Sequence, residues 1–89
     1  MVLDVRTRSH RLADARRIPG ARAVDLDALE GTLSEVPRER EVVVYCACPN
    51  EATAAKVALQ LRARGFRQVR PLAGGIDAWA SAGLAVQRG

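Results

Sequence analysis

Hydrophobic and polar positions along the chain fall into four short apolar runs separated by stretches with helical spacing or turn residues. Val2-Leu3-Asp4-Val5, Ala21-Arg22-Ala23-Val24, Val42-Val43-Val44-Tyr45 and Gln68-Val69-Arg70-Pro71-Leu72 read as strands. The third is apolar throughout, as expected of a strand covered on both faces. Between the runs lie helical segments. Leu26 to Leu33 is short, with Asp25 as its expected N-cap. Ala52 to Arg64 carries Ala54, Val57, Ala58 and Leu61 at helical spacing, and Gly65 supplies a left-handed stop. A last segment, Ile76 to Ala82, ends at Gly83. Connections fall at Ile18-Pro19-Gly20, Val36-Pro37-Arg38 and Gly74-Gly75. Strands alternating with helices predict an α/β fold of three layers, a small parallel sheet of about four strands joined by right-handed crossovers.

The length of 89 residues suits one small domain, residues 1–89, with room for one core and one site. Its 48% hydrophobic and 27% charged residues are those of a globular chain rather than a disordered one. No apolar run reaches the ~20 residues of a membrane helix. The start, MVLDVRTRSH, lacks the charged, apolar and small-residue segments of a signal peptide. The expectation is a soluble, cytoplasmic domain without direct membrane contact.

Charge changes the picture only slightly. The net charge is +4, and all but one of the 14 cations are arginine, a side chain suited to planar oxyanions. Nucleic-acid binding calls for basic residues interleaved with aromatics, but Tyr45, Phe66 and Trp79 are the only aromatics and none lies in a basic run. Nucleic acid is therefore not the expected partner.

Chemistry enters at the end of the third strand. The only two cysteines, Cys46 and Cys48, are one residue apart, so a disulfide between them would close a strained ring and constrain almost no chain. One Cys-x-Cys pair with a distant His10 is not a zinc ligand set. No metal or organic cofactor is expected. In an open parallel sheet, ligands collect at the carboxyl ends of strands beside helix N-termini, and Cys46 sits at such a corner. Main-chain N–H groups of the following loop, converging with the helix dipole, would favour a thiolate and make Cys46 a nucleophile. The alternative at this point is a small hydrophobe buried at a strand end, the common fate of a free cysteine.

The motifs Leu3-Asp4-Val5-Arg6, Ile18-Pro19-Gly20-Ala21, Val43-Val44-Tyr45-Cys46 and Leu72-Ala73-Gly74-Gly75-Ile76-Asp77-Ala78-Trp79 occur in an order and spacing that resemble the rhodanese (sulfurtransferase) family over nearly the whole chain. The resemblance implies a rhodanese-like fold, a catalytic Cys46, and movement of a sulfane sulfur from thiosulfate or a persulfide to a thiophilic acceptor through a Cys46 persulfide. Its partners would be a small anionic sulfur donor or persulfide and a thiol acceptor. The substrate cradle would be Ala47, Cys48, Pro49, Asn50, Glu51 and Ala52. A six-residue loop, Cys46 to Glu51, matches the sulfurtransferase length, whereas phosphatase-like members use one residue more.

The chain also departs from the family pattern. Many active members have Gly in mid-loop, then Arg and Ser or Thr as the helix opens, where this sequence has Pro49, Glu51 and Ala52. Pro49 removes an N–H donor, and Glu51 opposes an anionic donor. These changes favour a persulfide over thiosulfate, and they support the alternative of a catalytically weak binding or regulatory module. Cys48 reads either as a sulfur acceptor or as a neutral small side chain. Asp4 and Arg6 are expected to order the sheet edge by hydrogen bonds, Gly74 and Gly75 to allow close backbone approach to the active loop, Trp79 to lie in the core, and Arg16, Arg17 and His10 to lie on the surface. Relatives usually begin with a further strand and helix that this sequence lacks, so the chain reads as a fragment or excised domain, appended to a larger protein. The strand Gln68 to Leu72 would then have an unpaired edge, suited to dimerisation or docking.

Overall fold

A computed structural model describes residues 1–25, 28–34, 36–47 and 52–88. Its main sheet has four parallel strands in the order β3-β1-β4-β5, with β1 Val2–Asp4, β3 Arg22–Ala23, β4 Val42–Tyr45 and β5 Val69–Pro71. The strand β2 Arg16–Arg17 pairs antiparallel with β6 Gln87–Arg88 as a separate ribbon. The helices are α1 Arg8–Ala13, α2 Leu29–Leu33, α3 Ala52–Ala63 and α4 Gly75–Ser81. Among the described residues no helix is long and apolar enough to cross a membrane.

The period of two along β4 divides the core. Val42, Val44 and Cys46 face a cluster with Leu29 and Leu33 of α2 and with Ala54, Val57, Ala58 and Leu61 of α3. Tyr45 faces the other way, toward Ile18 and Ile76, with Trp79 and Val86 packed alongside. Helices therefore cover both faces of the sheet, which is why β4 can be apolar at every position. The four buried residues of α3 are those its spacing predicted, and each Leu or Val so buried contributes roughly 1.5–3 kcal/mol. Gly65 and Gly83 follow α3 and α4 with φ of 95° and 80°, the left-handed geometry expected of helix stops.

Three elements differ from the sequence-based expectation. The helix α1 arises where none was predicted. It buries no residue, and its support is local: the Thr7 hydroxyl caps it by accepting from the His10 main-chain N–H. The ribbon of β2 and β6 joins residues 16–17 to residues 87–88, a pairing too short and too distant in sequence to leave a periodic signal. In α2, the described helix begins at Leu29 with Ala28 at the N-cap position, and no side-chain cap from the expected Asp25 falls among the described residues. The Asp25 carbonyl accepts from the Ala28 N–H, and its carboxylate pairs with Arg11 at 3.2 Å. The predicted helix start at Leu26 lies outside the described residues.

The free edge of β5 is blunted. Val42 N–H donates to Gln68 O and Leu72 N–H donates to Val44 O, both at 2.8 Å, so Val69 and Pro71 turn their main-chain groups outward. Pro71 has no N–H to offer, and the outward Val69 carbonyl accepts from Arg62 Nη2 at 2.7 Å. Proline and a long cation are the usual devices that discourage strand addition, and they weaken the docking role expected of this edge.

Arg16 ties the ribbon to the rest of the fold by reaching both Asp14 and Asp77 of α4. The hydrogen bond from Arg16 holds the Asp14 carboxyl down at about 2. Because this pKa lies below the ordinary carboxylate value of ~3.9, the pair's stabilisation is complete above about pH 4 and is lost as pH falls toward 2. Asp14→Asn should therefore lower the urea midpoint at pH 6 and have progressively less effect between pH 4 and 2. A gap between variant and parent that stays constant over that range would refute the assignment. Asp14 is over one-third exposed, so the effect will be modest and reduced by salt.

Candidate functional site

The carboxyl ends of β1 and β4 meet in register, with Asp4 opposite Tyr45. At this edge Asp4 and Arg6 are both buried, at 3% and 4% exposure. The Asp4 carboxylate accepts from Arg6 Nε at 3.0 Å and Nη2 at 2.8 Å, from the Arg6 main-chain N–H at 3.0 Å, and from the Tyr45 hydroxyl at 3.1 Å. The remaining guanidinium donors reach the carbonyls of Asp14 at 3.1 Å and Arg16 at 2.9 Å. Burial pulls the Arg6 pKa down, but the hydrogen bond and charge of Asp4 outweigh it and the net direction is upward. Burial first, and then the Asp4 charge, pushes the Tyr45 phenol up to about 12, so it stays protonated as a donor. The expected ordering role of Asp4 and Arg6 is thus present. Tyr45 is a third member that the sequence pattern marked only as a strand residue.

Cys46 follows Tyr45 directly and is held from three sides. On its N-terminal side, the Tyr45 carbonyl accepts from Val5 N–H at 3.0 Å. Its own carbonyl lies against Gly75, where a Cβ would come within 3.2 Å of that oxygen. Gly75, with φ of 58°, makes the close approach expected of Gly74 and Gly75, whereas a Cβ at Gly74, with φ of 74°, would meet Ala78 of α4 instead. Its sulfur accepts from the Ala54 main-chain N–H at 3.4 Å. Ala54 is the third residue of α3, and the first N–H groups of a helix have no partner within the helix, so this donor is available to the sulfur.

The cysteine is 7% exposed and packs in the cluster with Val44 and Ala54. Of the proposed cradle, Ala47 and Ala52 are exposed, while Cys48, Pro49, Asn50 and Glu51 lie outside the described residues. The donor seen at the sulfur, Ala54, was not in the predicted cradle. The signal that could have found it was the start of the helix at residue 52, which leaves the N–H of residue 54 free. The other candidate residues fall as follows. His10 and Arg17 are exposed. Trp79 is partly buried and donates from Nε1 to Ala85 O at 2.7 Å. Arg16, expected only as a surface cation, carries the two ion pairs described above.

A parallel sheet with a cysteine at the carboxyl end of a central strand, its sulfur against the first turn of the next helix, defines an α/β protein built around a strand-to-helix thiol. The chain belongs to the rhodanese-like domain family, whose profile it matches over residues 1–82. It is 33% identical over 86 residues to a protein from Allochromatium vinosum named sulfurtransferase, covering 97% of this chain and 77% of the relative. The crystal structure of a rhodanese-like domain from an Anabaena sp. protein superposes with a TM-score of 0.82 at 31% identity, covering 98% of this chain and 97% of that one. The polysulfide-sulfur transferase homodimer of Wolinella succinogenes shares the fold, with a TM-score of 0.71 at 23% identity over 98% of this chain and 64% of that one.

Proposed function

We propose that the domain transfers a sulfane sulfur through a persulfide on Cys46. The observation that carries this reading is the Ala54 N–H on the Cys46 sulfur at 3.4 Å, at the mouth of α3. A main-chain N–H at a helix N-terminus has no partner within the helix and can donate to the anionic sulfur of the attacking and persulfide forms. The relationship to the A. vinosum sulfurtransferase supports the same chemistry. The thiolate attacks the outer sulfur of a donor such as thiosulfate or a persulfide, the S–S bond of the donor breaks, and sulfite or a thiolate leaves with the bonding pair. Cys46 then carries one added sulfur as a persulfide anion. An acceptor thiolate attacks that terminal sulfur, and the Cys46 thiolate departs, so the enzyme ends each cycle unchanged. Ala47 to Ala52, with Ala54, form the proposed cradle for the donor and for the persulfide. With Glu51 and Pro49 in this loop, an organic persulfide is a better donor than thiosulfate.

Intact mass measured after incubation with each donor should show a gain of one sulfur atom in the parent and none in Cys46→Ala, by the logic of a covalent intermediate. An unmodified parent with every donor would refute the proposal. A second reading, a binding module with little turnover, is favoured by the burial of the cysteine, 7% exposed, since a donor must reach its sulfur. A thiol that a small disulfide reagent modifies only as fast as the domain unfolds would decide for that module. Modification of Cys46 in the folded Cys48→Ala protein decides for the enzyme.

A further inference from the structure

On the Tyr45 side of the sheet edge lies a cleft of about 260 Å³ that does not include Cys46. Asp4, Arg6 and Tyr45 of the network are among its lining residues. The Asp4 carboxylate there is already occupied by Arg6 and Tyr45 donors, so among the described lining residues no carboxylate is left unpaired. Three more arginines line the same space: Arg8 and Arg11 from α1, and Arg17 from β2. Arg11 is engaged with the Arg6 carbonyl and with Asp25. Arg8 and Arg17 are exposed, and among the described residues neither guanidinium has an ion-pair or hydrogen-bond partner. The lining also has apolar residues, Leu12, Ala15, Ala21 and Ala23, and Leu12 is 76% exposed.

We infer that this cleft binds a small organic anion with two carboxylates on a short hydrocarbon spacer. Guanidinium groups hold carboxylates through paired N–H donors, and two unpartnered arginines from different elements supply two such forks. An inorganic oxyanion would use the cations but would leave the apolar walls against water. Concave sites that combine apolar walls with a few polar anchors favour a ligand having both characters. Alternation along β4 puts the Tyr45 and Cys46 side chains on opposite faces of the sheet, so the site is separate from the sulfur chemistry. Its occupancy does not depend on persulfide formation.

Titrating the ¹⁵N-labelled domain with glutarate should give saturable shifts concentrated at the amides of Arg8, Leu12, Arg17, Ala23 and Tyr45. Binding should be at least about tenfold tighter than for acetate, since one fork is lost with one carboxylate. The Arg8→Gln/Arg17→Gln variant should weaken glutarate about tenfold or more, and Cys46→Ala should leave it unchanged, which separates this site from the proposed transfer reaction. Because Arg8 is an exposed helix residue, Arg8→Gln alone keeps the test valid should the double variant fail to fold. Shifts that do not saturate or are scattered over the surface, an unchanged affinity in the variants, or phosphate binding tighter than glutarate would each overturn the inference.

Discussion

Arg6→Ala will leave the domain largely unfolded near 37 °C or lower its Tm by well over about 10 °C, although the donor to the Cys46 sulfur is the Ala54 N–H rather than Arg6. The size of the effect follows from what the truncation strands. Asp4, 3% exposed, would lose the bidentate guanidinium and retain only the Arg6 main-chain N–H and the Tyr45 hydroxyl. The carbonyls of Asp14 and Arg16 would lose their donors as well. Removing one partner of a buried ion pair costs about 3–5 kcal/mol, against a total stability of about 5–15 kcal/mol for whole domains. The pair itself contributes far less than that, because desolvating both charges offsets most of their attraction. Replacing both residues with apolar ones of similar volume, as in Asp4→Leu/Arg6→Met, should therefore recover a good part of what Arg6→Ala loses. Urea unfolding of the three proteins tests this. A double variant no better than Arg6→Ala would show that the network stabilises through its geometry rather than by avoiding a stranded charge.

Gly75→Val is expected to cost roughly 2–5 kcal/mol and to reduce sulfur transfer by about a hundredfold in the protein that remains folded, from two separate penalties that add at this position. A side chain at φ of 58° meets the left-handed cost of roughly 1–2 kcal/mol, and its Cβ would stand 3.2 Å from the Cys46 carbonyl, adding an overpacking cost of roughly 1–3 kcal/mol. The second penalty falls on Cys46, the residue proposed to carry the sulfur. Relief requires the β4 end or the start of α4 to move, and a displacement near 1 Å of a reacting group can cost on the order of 10² in rate. Gly83 provides the control, since its φ is 80° but nothing lies within 4 Å of the place its Cβ would take. Gly83→Val should lose stability through backbone strain alone and keep the transfer rate. Equal losses of rate in the two variants would show that the approach to Cys46 does not matter for the chemistry.

Much of this architecture was legible from local patterns. Val42 to Tyr45 reads as a strand covered on both faces, because it is short, β-branched and has no polar side to expose. Ala54, Val57, Ala58 and Leu61 mark one face of a helix, and that face is the one α3 buries. What escaped notice lacked such a pattern. The helix α1 has no buried face, and its arginines acquire a common cleft only because β2 and the ends of β1 and β4 come beside it. Tyr45 looked like one more apolar residue in a run, and its hydroxyl gained a role only when the strand register set it opposite Asp4.

Residue order alone determined the alternation of strands and helices, the corner where Cys46 ends a strand, and the glycines that stop α3 and admit α4 close to that corner, because backbone preference and apolar periodicity act over a few neighbouring residues. Only the tertiary structure decided that Cys46 is buried with the Ala54 amide on its sulfur, that Asp4, Arg6 and Tyr45 share one network, and that Arg8 and Arg17, without partners among the described residues, line one cleft. Each of these depends on which strand lies beside which and on the face each side chain takes, and those are set by packing between segments tens of residues apart.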